Sequence, residues 1–153
     1  MATPSNQPLA RGYQLQNYTI AKLLSAGGFS IVYLAHDEKD YPVAIKEYLP
    51  NSLALRTEGE LVQARSEENI ALFRHGLKCF FEEGKTLAHI QHPNIIRVRN
   101  FFRANDTVYM VMEYERGRTL QKEIQLKHGR EGVDEGLIRH VFYHLLNGLR
   151  EVH

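Results

Sequence analysis

Two adjacent glycines, Gly27 and Gly28, stand between two runs of strand-forming residues, and this interruption limits what the first third of the chain can fold into. Tyr18, Ile20 and Leu23 precede the pair, and Ile31-Val32-Tyr33-Leu34-Ala35 follows as a β-branched and aromatic run. Glycine admits the tight reversal between such runs at little steric cost. The segment therefore predicts a β-hairpin around a glycine turn. After the polar turn His36 to Asp40, Pro42-Val43-Ala44-Ile45-Lys46 predicts a third strand that ends on a lysine.

The rest of the chain changes period twice. Leu49 to Ser66 mixes Pro50, Asn51, Thr57, Gly59 and Ser66 with scattered apolar positions and reads as an irregular insertion over 49–66. From about Asn69 to Ile90, Phe73, Leu77, Phe80, Leu87 and Ile90 recur near helical spacing, and Pro93 stops the pattern. This predicts one long helix, or two joined near Gly76. Ile95 to Phe102 and Val108 to Tyr114 predict two more strands, joined by the five-residue connection Arg103 to Thr107. Beyond Gly117 a polar segment leads to a helix from about Asp134 to His153, with Leu137, Val141, Leu145, Leu149 and Val152 on one stripe. The order is three strands, helix, two strands, helix, which is an α+β fold with a five-stranded sheet. Residues 1–12, with Pro4, Pro8 and little apolar content, read as a mobile leader.

Composition narrows the partners. Nineteen basic residues against 18 acidic ones give no charge excess for nucleic acid, and no basic run marks a membrane surface site. A single cysteine, Cys79, excludes an internal disulfide framework and a cysteine zinc site; it reads as a helix-packing thiol in a reducing compartment. The leader has no apolar signal region, and no run approaches the roughly 18 apolar residues of a membrane helix. Together these predict a cytoplasmic protein, with any membrane anchor belonging to a longer parent chain.

The chemistry concentrates in a few places. In Leu24-Ser25-Ala26-Gly27-Gly28-Phe29-Ser30-Ile31-Val32, small residues at a strand junction let backbone N–H groups approach phosphate oxygens. That loop joins two strands, whereas the glycine loop of a dinucleotide-binding fold opens a helix. Val43-Ala44-Ile45-Lys46 matches the V-A-I-K strand of protein kinases. Glu83, Leu87, Ile90, His92, Pro93, Asn94 and Ile95 fit the kinase pattern E-x-x-x-L-x-x-[LI]-x-H-P-N-I. Tyr109 to Leu120 is similar to a kinase hinge, and Leu145 to His153 to the end of the helix before a catalytic loop. On these residues the chain, from about Tyr18 to His153, resembles a bacterial-type serine/threonine protein kinase.

The resemblance implies an ATP-binding N-lobe over 13–117, a five-stranded antiparallel sheet with one regulatory helix, then the hinge exit and first helices of an incomplete C-lobe over 118–153. It implies that Lys46 contacts the α- and β-phosphates of ATP and that Glu83, rather than Glu82, is its ion-pair partner. Ser25, Ala26, Gly27, Gly28, Phe29 and Ser30 would cover the phosphates. Val32 and Ala44 would roof the adenine, Met112 would be the gatekeeper, and the C=O of Glu113 and N–H of Glu115 would pair with the base edge. Leu87 and Val98 would align helix and sheet by packing. Two departures stand out: Ser25 and Ser30 replace the first and third glycines of G-x-G-x-x-G, and Gly84 costs the helix about 1 kcal/mol relative to alanine.

The catalytic H-R-D aspartate, the asparagine beyond it and the D-F-G aspartate do not occur in these 153 residues. No metal ligands are therefore assigned, Mg2+ is expected only in the complete kinase, and the chain alone is predicted inactive. A protein substrate is implied for the complete enzyme. The alternative is a truncated, non-catalytic kinase-like interaction module. The apolar stripe of the last helix predicts self-association through 134–153.

Overall fold

The computed structural model describes residues 6–56, 58–127 and 134–152. In chain order its elements are β1 (Gln14–Leu15), β2 (Tyr18–Ala26), β3 (Ser30–His36), β4 (Pro42–Tyr48), β5 (Ala54–Leu55), β6 (Gln63–Ala64), α1 (Glu67–Ala88), β7 (Val98–Ala104), β8 (Thr107–Glu113), α2 (Leu120–Lys127) and α3 (Glu135–Val152). They pack as two units, one running to His89 and resuming over Arg97–Tyr114, the other made of Ile90–Ile96 and the residues from Glu115 on.

The first unit is built on an antiparallel sheet of order β1-β2-β3-β4-β8-β7. It has six strands rather than five, because Gln14 and Leu15 add to the edge of β2. Alternation along β3 sets the two faces: Ile31, Tyr33 and Ala35 are buried, while Val32 and Leu34 are half-buried on the other side. On the first face Ile20, Tyr33, Ile45, Tyr109 and Val111 form the core with Leu9 and Leu15. The sheet curls around them, so that the Tyr18 ring of β2 stacks on Phe102 of β7 at 6.1 Å and Phe102 stacks on Tyr109 at 5.4 Å.

One expectation about irregular chain is corrected by this core, and a second is refined. Residues 6–12 are not a mobile leader: Leu9 is buried, its N–H donates to the Tyr33 hydroxyl at 3.0 Å, and the Gln7 N–H donates to the Arg56 carbonyl at 3.2 Å. One leucine in a closing sheet suffices to seat the segment, and composition does not register a single residue. Residues 1–5 lie outside the described residues. The insertion 49–66 keeps mostly turns, bends and irregular chain, as expected, but it adds a two-stranded sheet of β5 and β6 and buries Ala54 and Val62.

The insertion is pinned by a buried ion pair. Arg56 reaches Glu47 with Nη1 at 2.8 Å from Oε1 and Nη2 at 2.5 Å from Oε2, and the two side chains are 1% and 0% exposed. Tyr33 donates to Glu47 Oε1 at 2.9 Å, and Arg56 also donates to the carbonyls of Glu60 and Gln7. Such a pair is tolerated in a core only when the remaining donors and acceptors are satisfied, and no buried side-chain polar atom among the described residues lacks a partner. Burial, reinforced by the Glu47 charge, pushes the hydroxyls of Tyr33 and Tyr109 well above the ordinary tyrosine range. For Arg56, burial is the largest single influence and favours the neutral form, but hydrogen bonding to Glu47 and the attraction of its charge together outweigh it and raise the pKa.

Helix α1 lies on the other face and is one unbroken helix of 22 residues. Gly76 marks a contact rather than a break: a Cβ there would overlap the Tyr48 hydroxyl. The Tyr48 ring sits between Phe73, at 5.7 Å, and Phe80, at 5.6 Å. The helix opens on Ser66 with Glu67 and Glu68 in its first turn, where the helix dipole favours negative charge, and closes at His89, short of the expected Ile90. Cys79 is exposed, its Sγ 3.5 Å from His75 Nε2, so it is not a packing thiol. The β7–β8 connection is the two-residue turn Asn105-Asp106, with φ of 53° and 58°, rather than five residues. Asn and Asp tolerate that left-handed backbone.

In the second unit, Asn94 Nδ2 donates to the His144 carbonyl of α3 at 2.9 Å. Gly148 is buried because the Asn94 carbonyl lies 3.4 Å from where its Cβ would stand. The covered stripe of α3 is Leu137, Val141, His144, Asn147 and Gly148. Leu145, Leu149 and Val152, expected on the same stripe, are exposed along with Ile138, Phe142, Tyr143 and Leu146. The segment expected to be merely polar contains α2, and Arg118 pairs with Glu123 in its first turn at 2.5 Å. The His153 end of the expected helix lies outside the described residues. Among the described residues no helix is long and apolar enough to cross a membrane.

Candidate functional site

Strand register decides which side chains share a surface. Val32 of β3 stands opposite Lys46 of β4, while Met110 and Met112 of β8 stand opposite Lys46 and Ala44. Residues directly opposite, or two apart on one strand, point to the same side of a sheet. Val32, Ala44, Lys46, Met110 and Met112 thus form one patch on the face that carries α1. Ala44 and Met110 are buried; Val32, Lys46 and Met112 are half-buried. The patch is an apolar floor with one cation, and that composition suits a flat ring beside a charged group.

The β2–β3 turn stands at the end of the strands bordering this patch. Ser25 and Ala26 end β2 opposite Val32 and Ile31, Ser30 begins β3, and the Gly27 N–H donates to the Ser30 carbonyl at 2.9 Å. Neither Gly27 nor Gly28 has the left-handed backbone that would call for glycine, and a Cβ at Gly28 would meet nothing within 4 Å. The fold itself thus has no need of a glycine at 28. Its absent side chain instead leaves the turn open from outside. The N–H groups of Gly28 and Phe29 have no acceptor among the described residues, and the Phe29 side chain is 75% exposed. Successive backbone donors without acceptors among the described residues, in a turn where even a Cβ at 28 would stand clear of other atoms, fit an anion such as a polyphosphate.

From the opposite side, the carbonyls of this turn are engaged. The Leu49 N–H donates to the Phe29 carbonyl at 2.9 Å and the Asn51 N–H to the Gly28 carbonyl at 2.9 Å. Sequence reasoning assigned no role to Leu49 or Asn51, because they lie in a segment without periodicity. A signal existed only in their closeness to the end of β4.

Lys46 and Glu83 are not joined. Among the described residues no ion pair links them; the Lys46 ammonium lies 5.6 Å from the centroid of the Phe80 ring, a cation–π contact. Glu83 is exposed on α1, one residue before Gly84, which is buried against Met110 and Phe101. Glu82 pairs with Lys85 at 3.4 Å. Phe80 therefore holds the place beside the lysine, a residue the helical period marked only as core. Val98 is buried and Leu87 half-buried against the core.

At the end of β8, Glu113 is half-buried and its N–H donates to the Arg97 carbonyl at 3.0 Å, whereas Glu115 belongs to the second unit and is exposed. Among the described residues no group of three or more His, Cys, Asp or Glu side chains is placed to hold a metal ion.

Comparison with known proteins bears on the same residues. Residues 18–153 match the model of the protein kinase domain. Aurora kinase B of Xenopus tropicalis is 31% identical over 134 residues, which is 84% of this chain and 32% of that protein. Among solved structures, the apo form of PpkA-294 is similar with a TM-score of 0.79 and 36% identity, over 89% of this chain and 48% of that one. The PknI kinase domain of Mycobacterium tuberculosis shares the fold at a TM-score of 0.70 and 20% identity, over 95% of this chain and 52% of that one. The chain spans about a third of its curated relative and about half of these solved structures. Its curled antiparallel sheet, the helix on it and the match over residues 18–153 place the chain in the protein kinase domain family, with serine/threonine kinases among its relatives.

Proposed function

We propose that this chain is the ATP-binding portion of a serine/threonine protein kinase, which in its complete form transfers the γ-phosphoryl group of ATP to a protein hydroxyl. The observation that carries the reading is the shared surface of Val32, Ala44, Lys46 and Met112 beside a turn whose Gly28 and Phe29 N–H groups lack acceptors among the described residues. On this reading Val32 and Ala44 hold the adenine, Met112 bounds its pocket, and Glu113 offers its backbone carbonyl to the base edge. The segment Ser25 to Ser30 covers the phosphates. Lys46 neutralises the α- and β-phosphates, and Glu83 becomes its partner once α1 moves so that Phe80 leaves the ammonium. Stabilising phosphate charge by such preplaced groups is the main catalytic term in phosphoryl transfer.

The reading is tested by binding of a fluorescent ATP analogue to the parent chain and to Lys46→Ala. A loss of about tenfold or more in affinity is expected, as for removal of a hydrogen-bonded charge. Equal binding by Lys46→Ala would sink it. Mg2+ is assigned to the complete kinase, and the 153-residue chain is proposed to bind nucleotide without transferring phosphate. Incorporation of labelled phosphate by this chain alone overturns that part. A cytoplasmic location is proposed from the lone cysteine and ordinary charge balance. Self-association through the exposed apolar side chains of α3 is proposed too, and a monodisperse monomer in sedimentation at micromolar concentration would count against it.

A further inference from the structure

The phosphate-covering turn of this chain lacks two of the three glycines of the kinase loop, with Ser25 and Ser30 in their places. A Cβ at those positions narrows the backbone conformations that the turn can sample. What the structure offers in exchange lies behind the turn. The main chain continues past β4 and donates from Leu49 to the Phe29 carbonyl and from Asn51 to the Gly28 carbonyl, both at 2.9 Å. Asn51 Nδ2 also lies 3.5 Å from the Gly27 carbonyl, a long and weak contact. With these carbonyls engaged, the turn keeps its Gly28 and Phe29 N–H groups without acceptors among the described residues.

Segment 49–51 is itself held from the N-terminal side. Asn6 Nδ2 donates to Asn51 Oδ1 at 3.0 Å and to the Ala54 carbonyl at 3.3 Å, and Asn6 Oδ1 accepts from the Arg56 N–H at 2.8 Å. The hydrogen bonds of the Asn6 side chain all end within residues 51–56, and none touches the turn. Residues 6 and 7 are thereby stitched to the insertion, and the insertion to the glycine turn.

We infer that Asn51 and Asn6 are positioning residues for phosphate binding: Asn51 sets the backbone of the β2–β3 turn from behind, and Asn6 fixes Asn51, so that seating of the N-terminal segment controls how firmly the turn holds a polyphosphate. This inference rests on the nucleotide-binding reading above. Because Asn6 reaches the turn only by way of segment 51–56, in which Asn51 is the residue that touches the turn, the two operate as one unit, and such units show strongly non-additive substitutions.

The experiment compares ATP with adenosine, which lacks the phosphates, on the full 153-residue chain. Each ligand is titrated against the parent, Asn51→Ala, Asn6→Ala, the double variant and Lys46→Ala, with the urea midpoint of each protein recorded. Asn51→Ala keeps the backbone N–H that bonds the Gly28 carbonyl but removes the long contact to Gly27 and the hydrogen bond from Asn6, so at the low end of a hydrogen bond's net contribution it is expected to weaken ATP about threefold and Asn6→Ala about twofold, with adenosine affinity unchanged. The double variant is expected to match Asn51→Ala rather than the product of the two. Unchanged ATP binding in both single variants overturns the inference, as does equal weakening of ATP and adenosine, which a merely structural role would produce. If Asn51→Ala fails to fold, Asn6→Ala, remote from the turn, carries the same test. Should Lys46→Ala weaken ATP while the asparagine variants do not, the inference alone fails; should Lys46→Ala bind ATP like the parent, the nucleotide reading itself fails.

Discussion

Replacing Arg56 with methionine is the severest single test of how the first unit is held together. Methionine matches much of the arginine stem but leaves the Glu47 carboxylate, 0% exposed, with tyrosine hydroxyls as its remaining donors. It also abandons the carbonyls of Gln7 and Glu60 that the guanidinium satisfies. Removing one partner of a buried pair costs about 3–5 kcal/mol, because an uncompensated charge stays in the core. Replacing both partners, as in Glu47→Leu with Arg56→Met, is expected to restore all but about 1–2 kcal/mol, since no buried charge remains and apolar side chains fill the space. The chain has eight tyrosines and no tryptophan. Urea unfolding followed by near-ultraviolet circular dichroism of the tyrosines therefore reads this core through Tyr33 and Tyr109. The reasoning is refuted if Arg56→Met costs under about 1 kcal/mol, or if the double variant is no more stable than the single one.

Two glycines of α1 should respond with opposite sign. Gly76→Ala forces a methyl group into the Tyr48 ring, which Phe73 and Phe80 hold in place, and overpacking of about 1–3 kcal/mol outweighs a helix-propensity gain of about 1 kcal/mol. Gly84→Ala meets Met110 and Phe101 only at ordinary contact distances and is expected to gain up to about 1 kcal/mol; thermal melts showing the same sign for both would contradict this. Alkaline pH tests the buried tyrosines. Their folded pKa values are raised above the ordinary 10.0, so above pH 10 the unfolded chain releases protons that the folded chain keeps. Stability, complete below that pH, falls as pH rises further. Tyr33→Phe should make the fall shallower in urea midpoints taken across this range, and an unchanged slope would speak against the assignment.

The long strands and both long helices were legible because period and residue type agree there: β3 alternates about Tyr33, and α1 repeats Phe73, Leu77 and Phe80. Ala44 and Lys46 were named through the resemblance of Val43-Ala44-Ile45-Lys46 to a kinase strand, and alternation gives the physical reason they share a face, since a strand that puts Ile45 in the core puts Ala44 and Lys46 on the other side. What stayed hidden depends on contacts distant in sequence. Leu9 is one apolar residue in a polar stretch, and its burial follows from the curl of the sheet, whose core it shares with Tyr109 and Val111 of β8. Arg56 sits in a segment with no period and is paired by the shape of the core, not by spacing. Phe80 beside Lys46 rests on the rotational phase of α1, which Gly76 and Tyr48 set together.

A six-stranded open sheet has two borders where unpaired N–H and C=O groups invite a strand from another molecule. Here one border is the two-residue β1 continued by the uncovered end of β2, whose register slips between Ile20 and Lys22 and again between Leu23 and Ser25, and the other is β7, whose register slips between Val98 and Asn100 at Arg99 and which carries Arg103 further on. Irregular borders of this kind, one of them arginine-bearing, break the ladder that an incoming strand would extend. Cross-β growth from the native first unit is therefore disfavoured at both ends, and any fibrillar deposits of this protein would have to start from chains in which that sheet has already opened.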